Sequence, residues 1–457
     1  MSMKIRAEQV SGLDKKLAGF WKIAGEKVLL LDREYDMCKG SPVFTVEGKY
    51  TTRGWTEWTQ GFQFGSALLV FDATGDERFL ELGKKRTVEY MASHVSHVGV
   101  HDHGFNNVST YGNLRRLMRE KKIPWNEWEM HFYEMALKIS GAVQAHRWSE
   151  HLEGGFIYSF NGPHSLFVDT IRSVRALMLA HQLGHSLSDE NDVRVSLLER
   201  GVEHCRSTAQ YSVYYGEGRD RYDVRGRTAH ESIFNMNDGR YRCPNSQQGY
   251  TGFSTWTRGL AWAITGFAEE LEFIETLADA ELEPLGGREE VETFMLNAAL
   301  ATSDFYLENT PTDGIPYWDT GAPNLYKLGD YLDRPSDPYN AWEPVDSSAA
   351  AIAAQGLVRL GGYLQKKGKK EQGENYFKAG VQILDTLLNE PYLSTAPNHQ
   401  GILLHSIYHQ PNGWDHVPAG QKIACGESSM WGDYHLLELA LLVGRLENQE
   451  AYPTFFA

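Results

Sequence analysis

Residues 346–354 read Asp-Ser-Ser-Ala-Ala-Ala-Ile-Ala-Ala. After its first three residues the run is small or apolar at every position. Apart from Gln355 and Arg359 the same character continues to residue 364, so a helix here has almost no face made for water. The next stretch, 371–388, keeps the helical period but carries charge along one side. The pair predicts an inner helix buried all round, followed by an outer helix with one wet face.

The contrast recurs along the chain. Apolar residues at helical spacing also mark 77–93, 126–147, 165–184, 192–210, 255–277 and 288–308, and these segments fall into pairs. Aromatic, glycine-bearing loops separate the pairs: His-Asp-His-Gly-Phe from 101, Gly-Gly-Phe-Ile-Tyr-Ser-Phe from 154, Asp-Gly-Ile-Pro-Tyr-Trp-Asp from 313 and Gly-Ile-Leu-Leu-His from 401. One such loop per helical hairpin is the mark of a repeated supersecondary unit. Joining an N-terminal helix over 13–31 to a final one over 429–445 makes six hairpins. The expected fold is therefore all-α, an (α/α)6 barrel or six-hairpin toroid. No linker rich in Pro, Ser or Gly divides the chain, and one domain over 1–457 is expected. The longest irregular stretch, 214–248, is expected as an excursion at the cleft edge.

Composition narrows the function. Hydrophobic residues at 42% and charged residues at 23% are ordinary for a globular protein and exclude wholesale disorder. A net charge of −16, with no basic stripe, argues against nucleic acid as a partner. The four cysteines, Cys38, Cys205, Cys243 and Cys425, form no Cys-x-x-Cys pair and are expected to be free buried thiols in a reducing compartment. The N-terminus lacks an apolar signal core, and no stretch approaches the ~18 apolar residues of a membrane span. A cytoplasmic, non-membrane protein is expected, or a periplasmic or secreted one if a signal peptide has been removed.

Two aspartates stand where charge is costly. Asp102 lies in the 101–105 loop, and Asp169 interrupts Leu166-Phe167-Val168-Asp169-Thr170-Ile171. Carboxylates seldom enter such surroundings unless paired or working, and two in one cleft would have their pKa values pushed apart. Around them a set of aromatics falls at predicted loop and helix-start positions: Trp55, Trp58, Phe62, Phe105, Tyr158, Phe160, Tyr250, Trp256, Trp262, Trp318, Trp342, Trp414 and Trp431. Aromatic faces stack on the apolar C–H faces of sugars, so the set favours carbohydrate.

The motifs also carry a family resemblance. His101-Asp102-His103-Gly104-Phe105, Val168-Asp169-Thr170, Gln248-Gly249-Tyr250, Ser254 through Trp262, Asp346-Ser347-Ser348-Ala349 and Trp431-Gly432-Asp433-Tyr434 resemble, in order, the motifs of the unsaturated glucuronyl hydrolases. These form glycoside hydrolase family 88, with the unsaturated rhamnogalacturonyl hydrolases as close relatives. The resemblance implies a glycosidase that removes a 4,5-unsaturated uronic acid from the non-reducing end of lyase-made oligosaccharides by hydrating its enol ether. It also implies an (α/α)6 barrel and no metal or organic cofactor. Asp169 matches the general acid/base and would need a raised pKa; Asp102 matches the second essential carboxylate. The substrate-binding set implied with them is His101, Phe160, Arg172, His230, Gln248, Trp256, Arg258, Trp262 and Trp431. Arg258 and Trp262, four apart on one helix face, would present a cation beside a stacking surface. Asp346 and Asp433 read as helix caps.

Some residues depart from the family pattern. Phe160 stands where relatives tend to have Trp, and Arg172 replaces an uncharged residue three positions after Asp169, where it would lower that carboxyl's pKa or meet the substrate's carboxylate. His101 and His103 also invite a metal-dependent amidohydrolase reading, which lacks the strand–helix alternation it needs. His164, His230, His405 and His409 keep open a sugar epimerase or isomerase on the same toroid. A non-catalytic oligosaccharide-binding protein is the third alternative. Lys327, Arg334 and Lys422 flank possible cleft loops. Sulfation preference and oligomeric state are not readable from the sequence.

Overall fold

The computed structural model describes residue 5, residues 12–54 and residues 57–456, and Trp55 lies outside these residues. Its long elements are helices: α1 (Leu13–Glu34), α2 (Gln60–Thr74), α3 (Glu77–Tyr90), α4 (His103–Asn107), α5 (Asn113–Arg119), α6 (Glu127–His146), α7 (Thr170–Ser173), α8 (Arg175–Gln182), α9 (Leu197–Tyr211), α10 (Thr257–Ile274), α11 (Arg288–Glu308), α12 (Ser347–Lys366), α13 (Lys370–Leu387) and α14 (Met430–Glu447). A single turn of π-helix, Val108–Gly112, joins α4 to α5.

The helices pack as neighbours in chain order. α2 lies on α3, α10 on α11 and α12 on α13, while α7 meets α10, α10 meets α12, α12 meets α14 and α14 returns to α2. Every residue of α10 is buried, and so is every residue of α12 from Ser347 to Gly361. α13 instead buries one side only, from Gly373 and Tyr376 through Leu387. The difference follows from composition, because a helix wrapped by neighbours cannot carry solvated charge.

Glycine sits at each seam between the buried helices. A methyl group at Gly61 or Gly65 of α2 would strike the backbone of Asn106 or Ser109, and one at Gly104 of α4 would strike Ser173 of α7. Gly266 of α10 faces the backbone of Ile171 and Arg172, Gly356 of α12 faces Thr265, and Gly432 of α14 faces Ser348. These contacts require the absence of a side chain for the backbones to approach.

Four expectations need correction. The segment 165–184 is not one helix: it begins as a strand, Ser165–Phe167, before α7. Residues 214–248 are not wholly irregular, since Glu231–Asn235 and Arg240–Asn245 form a hairpin whose first strand pairs antiparallel with Ser165–Phe167. α2 and the helical stretch 103–119 were not anticipated. Both are buried nearly all round, so they lack the polar face that gives a periodic signal. Of the cysteines, Cys205 and Cys425 are buried but Cys38 and Cys243 are exposed. No helix among the described residues is long and apolar enough to cross a membrane.

Candidate active site

Asp169 is delivered by the strand Ser165–Phe167, which runs into α7 one residue after the carboxylate. The amide of Val168 donates to His230 O at 2.9 Å, so the sheet brings His230 beside Asp169. Asp102 immediately precedes α4. Ser173 of α7 fastens the two segments: its hydroxyl donates to His101 O at 2.7 Å and accepts from the Gly104 amide at 3.0 Å. Gln144 Nε2 also donates to His101 O, at 2.6 Å.

His101 stands between the carboxylates. Its Nε2 lies 3.3 Å from Asp169 Oδ2 and 3.6 Å from Asp102 Oδ1. On the far side of Asp169, His230 Nε2 lies 4.0 Å from Oδ1. Both of these last two atoms are buried and lack a hydrogen-bond partner. The amides of Gln247 and Gln248 donate to His230 Nδ1 at 3.0 and 3.3 Å. Nδ1 is therefore an acceptor, and the neutral ring carries its proton on Nε2, toward Asp169. Burial drives the His230 pKa down to about 4, which keeps the ring neutral.

The expected assignment of pKa values is reversed. Burial acts to raise Asp169, but the hydrogen bond and charge of His101 and the charge of His230 outweigh it and hold this carboxyl below its usual value. Burial, aided by the charge of Asp169, instead pushes Asp102 up to about 6 against the opposing pull of His101 and Arg147. Burial works against the His101 imidazolium, yet the two aspartates raise its pKa above the ordinary histidine value. The balance thus favours an anionic Asp169 beside a protonated His101, with Asp102 pushed up to about 6.

The trio opens into a cleft of about 420 Å³. Trp58, Phe105, Phe160, Trp256, Trp262, Tyr408 and Trp414 line it, with Gln247, Gln248, His409 and Asn412 among the polar groups. This mixture of aromatic wall and few convergent polar groups suits a small organic ligand. Arg258 also lines it. Its guanidinium lies between Trp256 and Trp431, with ring centroids at 4.6 and 4.8 Å. The same group donates to Gln248 Oε1 at 2.7 Å, Tyr408 O at 2.8 Å and Asp346 Oδ2 at 3.4 Å, and to Ile407 O. The cation thus braces the 407–408 loop and orients Gln248, stacked on Trp256 and Trp431, while Trp262 lines the same cleft.

No family model matches the chain. Curated relatives do. One from Formosa agariphila is 26% identical over 391 residues, covering 84% of this chain and 78% of the relative, and one from Bacillus sp. strain GL1 is 26% identical over 408 residues, covering 87% and 89%. Both are named unsaturated glucuronyl hydrolases. The crystal structure of the unsaturated glucuronyl hydrolase from Bacillus sp. GL1 superposes with a TM-score of 0.69 at 23% identity, covering 95% of this chain and 97% of that one. The chain therefore shares its fold with the unsaturated glucuronyl hydrolases.

Of the residues singled out through the resemblance to unsaturated glucuronyl hydrolases, Asp102, Asp169, His101, Phe160, Gln248, Trp256, Arg258 and Trp262 line the cleft. Phe160 stacks on His101 at 5.9 Å. His230 lies behind Asp169. Trp431 is fully buried, stacked on Trp58 at 5.1 Å and donating to Ser348 Oγ at 3.0 Å, so it supports the wall instead of forming it.

Arg172 is the clearest correction. It is 0% exposed and turned away from the cleft, bonded to Glu269 at 3.0 Å, Glu438 at 2.7 Å and His435 at 2.5 Å. It neither meets a substrate carboxylate nor governs Asp169. Three positions along a regular helix place two residues on one face, but α7 ends at Ser173 and its start is held by the sheet. His103 also faces inward, bonded to Ser140 Oγ and His97 O at 3.0 Å each, so it is no partner of His101 in a metal site. The group whose potential ligand atoms do lie together, within 4.8 Å, is His101, Asp102 and Asp169. Asp346 caps α12 as expected, accepting from the Ser348 amide. Asp433 does not cap α14: Ser429 does, while Asp433 holds the amides of Ile402 and Leu403 and the Tyr50 hydroxyl.

Sequence reasoning missed Arg147, Gln247, Tyr408 and Asn412. Arg147 lies over the Tyr158 ring at 4.2 Å, donates to Ser159 O at 2.8 Å, and acts on the pKa of Asp102. The 405–428 loop did carry a signal, because His-Gln-Pro-Asn-Gly-Trp-Asp at 409–415 has the aromatic, glycine-bearing character of the other cleft loops.

Proposed function

We propose that this protein is a glycoside hydrolase that releases the 4,5-unsaturated uronic acid at the non-reducing end of lyase-generated oligosaccharides, by hydrating the C4=C5 enol ether. The observation that carries the reading is the convergence of Asp102 and Asp169 on one nitrogen of His101, at the floor of an aromatic cleft. Ordinary glycosidases place two carboxylates about the scissile bond. Here both face a single imidazole, which suits proton delivery to one face of a ring. The named relatives and the ordered motifs agree with this chemistry.

In the proposed reaction Asp169 protonates C4 and accepts a proton from the water that adds to C5. The resulting hemiketal opens and expels the remaining sugar. Asp169 is ionised at rest, so its proton is supplied across the 3.3 Å contact by the His101 imidazolium. A substrate that fills the cleft displaces water and disfavours the ion pair relative to its neutral form, which moves the proton onto Asp169. Asp102 supplies the charge that raises His101, and the neutral His230 Nε2–H faces Asp169 Oδ1 from behind. The aromatic walls stack on the sugar.

The same proposal includes a single (α/α)6 barrel over the whole chain. The neighbour-to-neighbour packing of α2, α7, α10, α12 and α14, and the return of α14 to α2, support six hairpins closed into a toroid. No metal or organic cofactor enters the scheme.

The test is direct. Unsaturated uronyl disaccharides made by polysaccharide lyases absorb in the ultraviolet through their conjugated enoate, and the protein should abolish that absorbance. Asp169→Asn should stop the decay while leaving sugar binding. Absence of decay with both glucuronyl and galacturonyl substrates would overturn the assignment. The epimerase alternative is disfavoured by His230, whose Nδ1 is occupied by two amides and whose Nε2 is protonated, so it cannot serve as a base.

A further inference from the structure

Trp342 is not among the residues that line the cleft; it is 40% exposed and carries two lysines from distant parts of the chain. Lys327 Nζ lies 4.3 Å from its ring centroid, and Lys422 Nζ lies 5.8 Å away. Tyr326 and Tyr339, at 76% and 54% exposed, belong to the same loops. Neither lysine belongs to an ion pair among the described residues. What sets the patch apart is the grouping, an exposed indole with two ammonium groups from distant segments over it in a chain of net charge −16.

The arrangement is rigidly held. Asn340 Oδ1 accepts from the amides of Trp342 and Glu343 at 2.7 and 2.9 Å, and its Nδ2 donates to Asp337 O and Glu343 O at 2.6 and 2.7 Å. The Glu343 carboxylate then accepts from the Asn324 amide at 2.7 Å and from Trp318 Nε1 at 2.8 Å. These bonds staple the turn that presents Trp342 to the turn that presents Lys327. Lys422 arrives on the same 405–428 loop that sends Tyr408, His409 and Trp414 into the cleft. The Tyr339 ring meets His405 of that loop edge-on at 5.0 Å. Platform and cleft are therefore fixed to a common loop.

We propose that Trp342, Lys327 and Lys422 form a second carbohydrate-binding site, specific for acidic sugar chains and separate from the catalytic cleft. The indole stacks on a sugar face, and the two ammonium groups pair with its carboxylate or sulfate. Such a site would hold a polyanionic chain against a protein whose net charge otherwise repels it. The inference stands apart from the reaction proposed above, since it needs no unsaturated sugar.

Affinity electrophoresis in native gels tests it, using gels that contain polygalacturonate, dextran sulfate or neutral dextran. The protein should be slowed in an acidic gel and not in neutral dextran, and the gel that slows it distinguishes carboxylate from sulfate recognition. Trp342→Ala, and separately Lys327→Gln with Lys422→Gln, should weaken the interaction about tenfold. Both variants should clear unsaturated disaccharide at the parent rate, which separates this site from the cleft whatever reaction the cleft performs. Equal retardation of parent and variants, equal slowing in neutral dextran, or no slowing in either acidic gel would overturn the proposal.

Discussion

His101 Nε2 lies 3.3 Å from Asp169 Oδ2, and this contact reverses the order of acidity that two buried carboxylates alone would suggest. Burial acts to raise Asp169, yet the imidazolium beside it keeps it ionised, and Asp102 becomes the carboxyl displaced upward. In the proposed reaction the proton delivered to substrate is the one shared by the His101–Asp169 pair.

The first prediction is a pH profile. In the proposed reaction His101 must hold its proton, so kcat/KM should fall on the alkaline side through a pKa above the ordinary histidine value, and on the acid side as Asp102 is protonated at about 6. Asp102→Asn removes a negative charge that raises His101. The alkaline limb should consequently move to lower pH, with a matching shift in the His101 titration followed by NMR. A limb that stays in place would assign it to another group.

His230 offers two variants that separate donation from support. His230→Asn retains an acceptor near Nδ1 for the Gln247 and Gln248 amides but has no donor reaching Asp169; His230→Gln retains a donor near Nε2. The 4.0 Å contact is not a hydrogen bond at rest, so the prediction concerns one that closes in the substrate complex. Losing a hydrogen bond to a charged group costs about 1.5–3 kcal/mol, and His230→Asn should lower kcat roughly 10- to 100-fold with little change in KM. His230→Gln should recover part of it. Equal losses in both variants would point to a packing role.

Arg172 should matter for stability and not for substrate binding. Removing it leaves Glu438 in the interior without its ion-pair partner and Glu269 with only Arg175 and Arg359 beside it, a change expected to cost about 3–5 kcal/mol. Urea unfolding of Arg172→Met should register that loss, while KM of the folded fraction stays at the parent value. A large rise in KM with unchanged stability would restore Arg172 to the substrate site.

Gly104→Ala probes the seam that positions the two aspartates. The added methyl meets the Ser173 carbonyl, a backbone atom that no side-chain rotation can move aside. Overpacking of this kind costs about 1–3 kcal/mol, and here it also pushes the Asp102 segment away from α7. Thermal denaturation should show the destabilisation, and kcat should fall more than KM rises.

The small-residue run at 346–354 and the charged helix after it made the inner–outer helix alternation legible, because burial on all sides and burial on one side leave different compositions. Asp102, Asp169 and the part of the aromatic set that lines the cleft, Trp58, Phe105, Phe160, Trp256, Trp262 and Trp414, were legible because charge and large rings at predicted loop positions need an explanation. α2 was not legible, since a helix without a wet face has no period. The three-residue strand before Asp169 was equally hidden, because its pairing partner lies at 231–233 and strand formation there is decided by that distant hairpin.

The sequence by itself determined which residue types were available for chemistry and the helical character of the scaffold that carries them. Tertiary structure alone decided their charge states and directions. Arg172 stands three residues from Asp169 in the chain, yet it belongs to Glu269 and Glu438; His101, 68 positions from Asp169, sets that carboxyl's ionisation. Electrostatic interactions depend on distance and burial in space, and neither quantity is written in the spacing of residues along a chain.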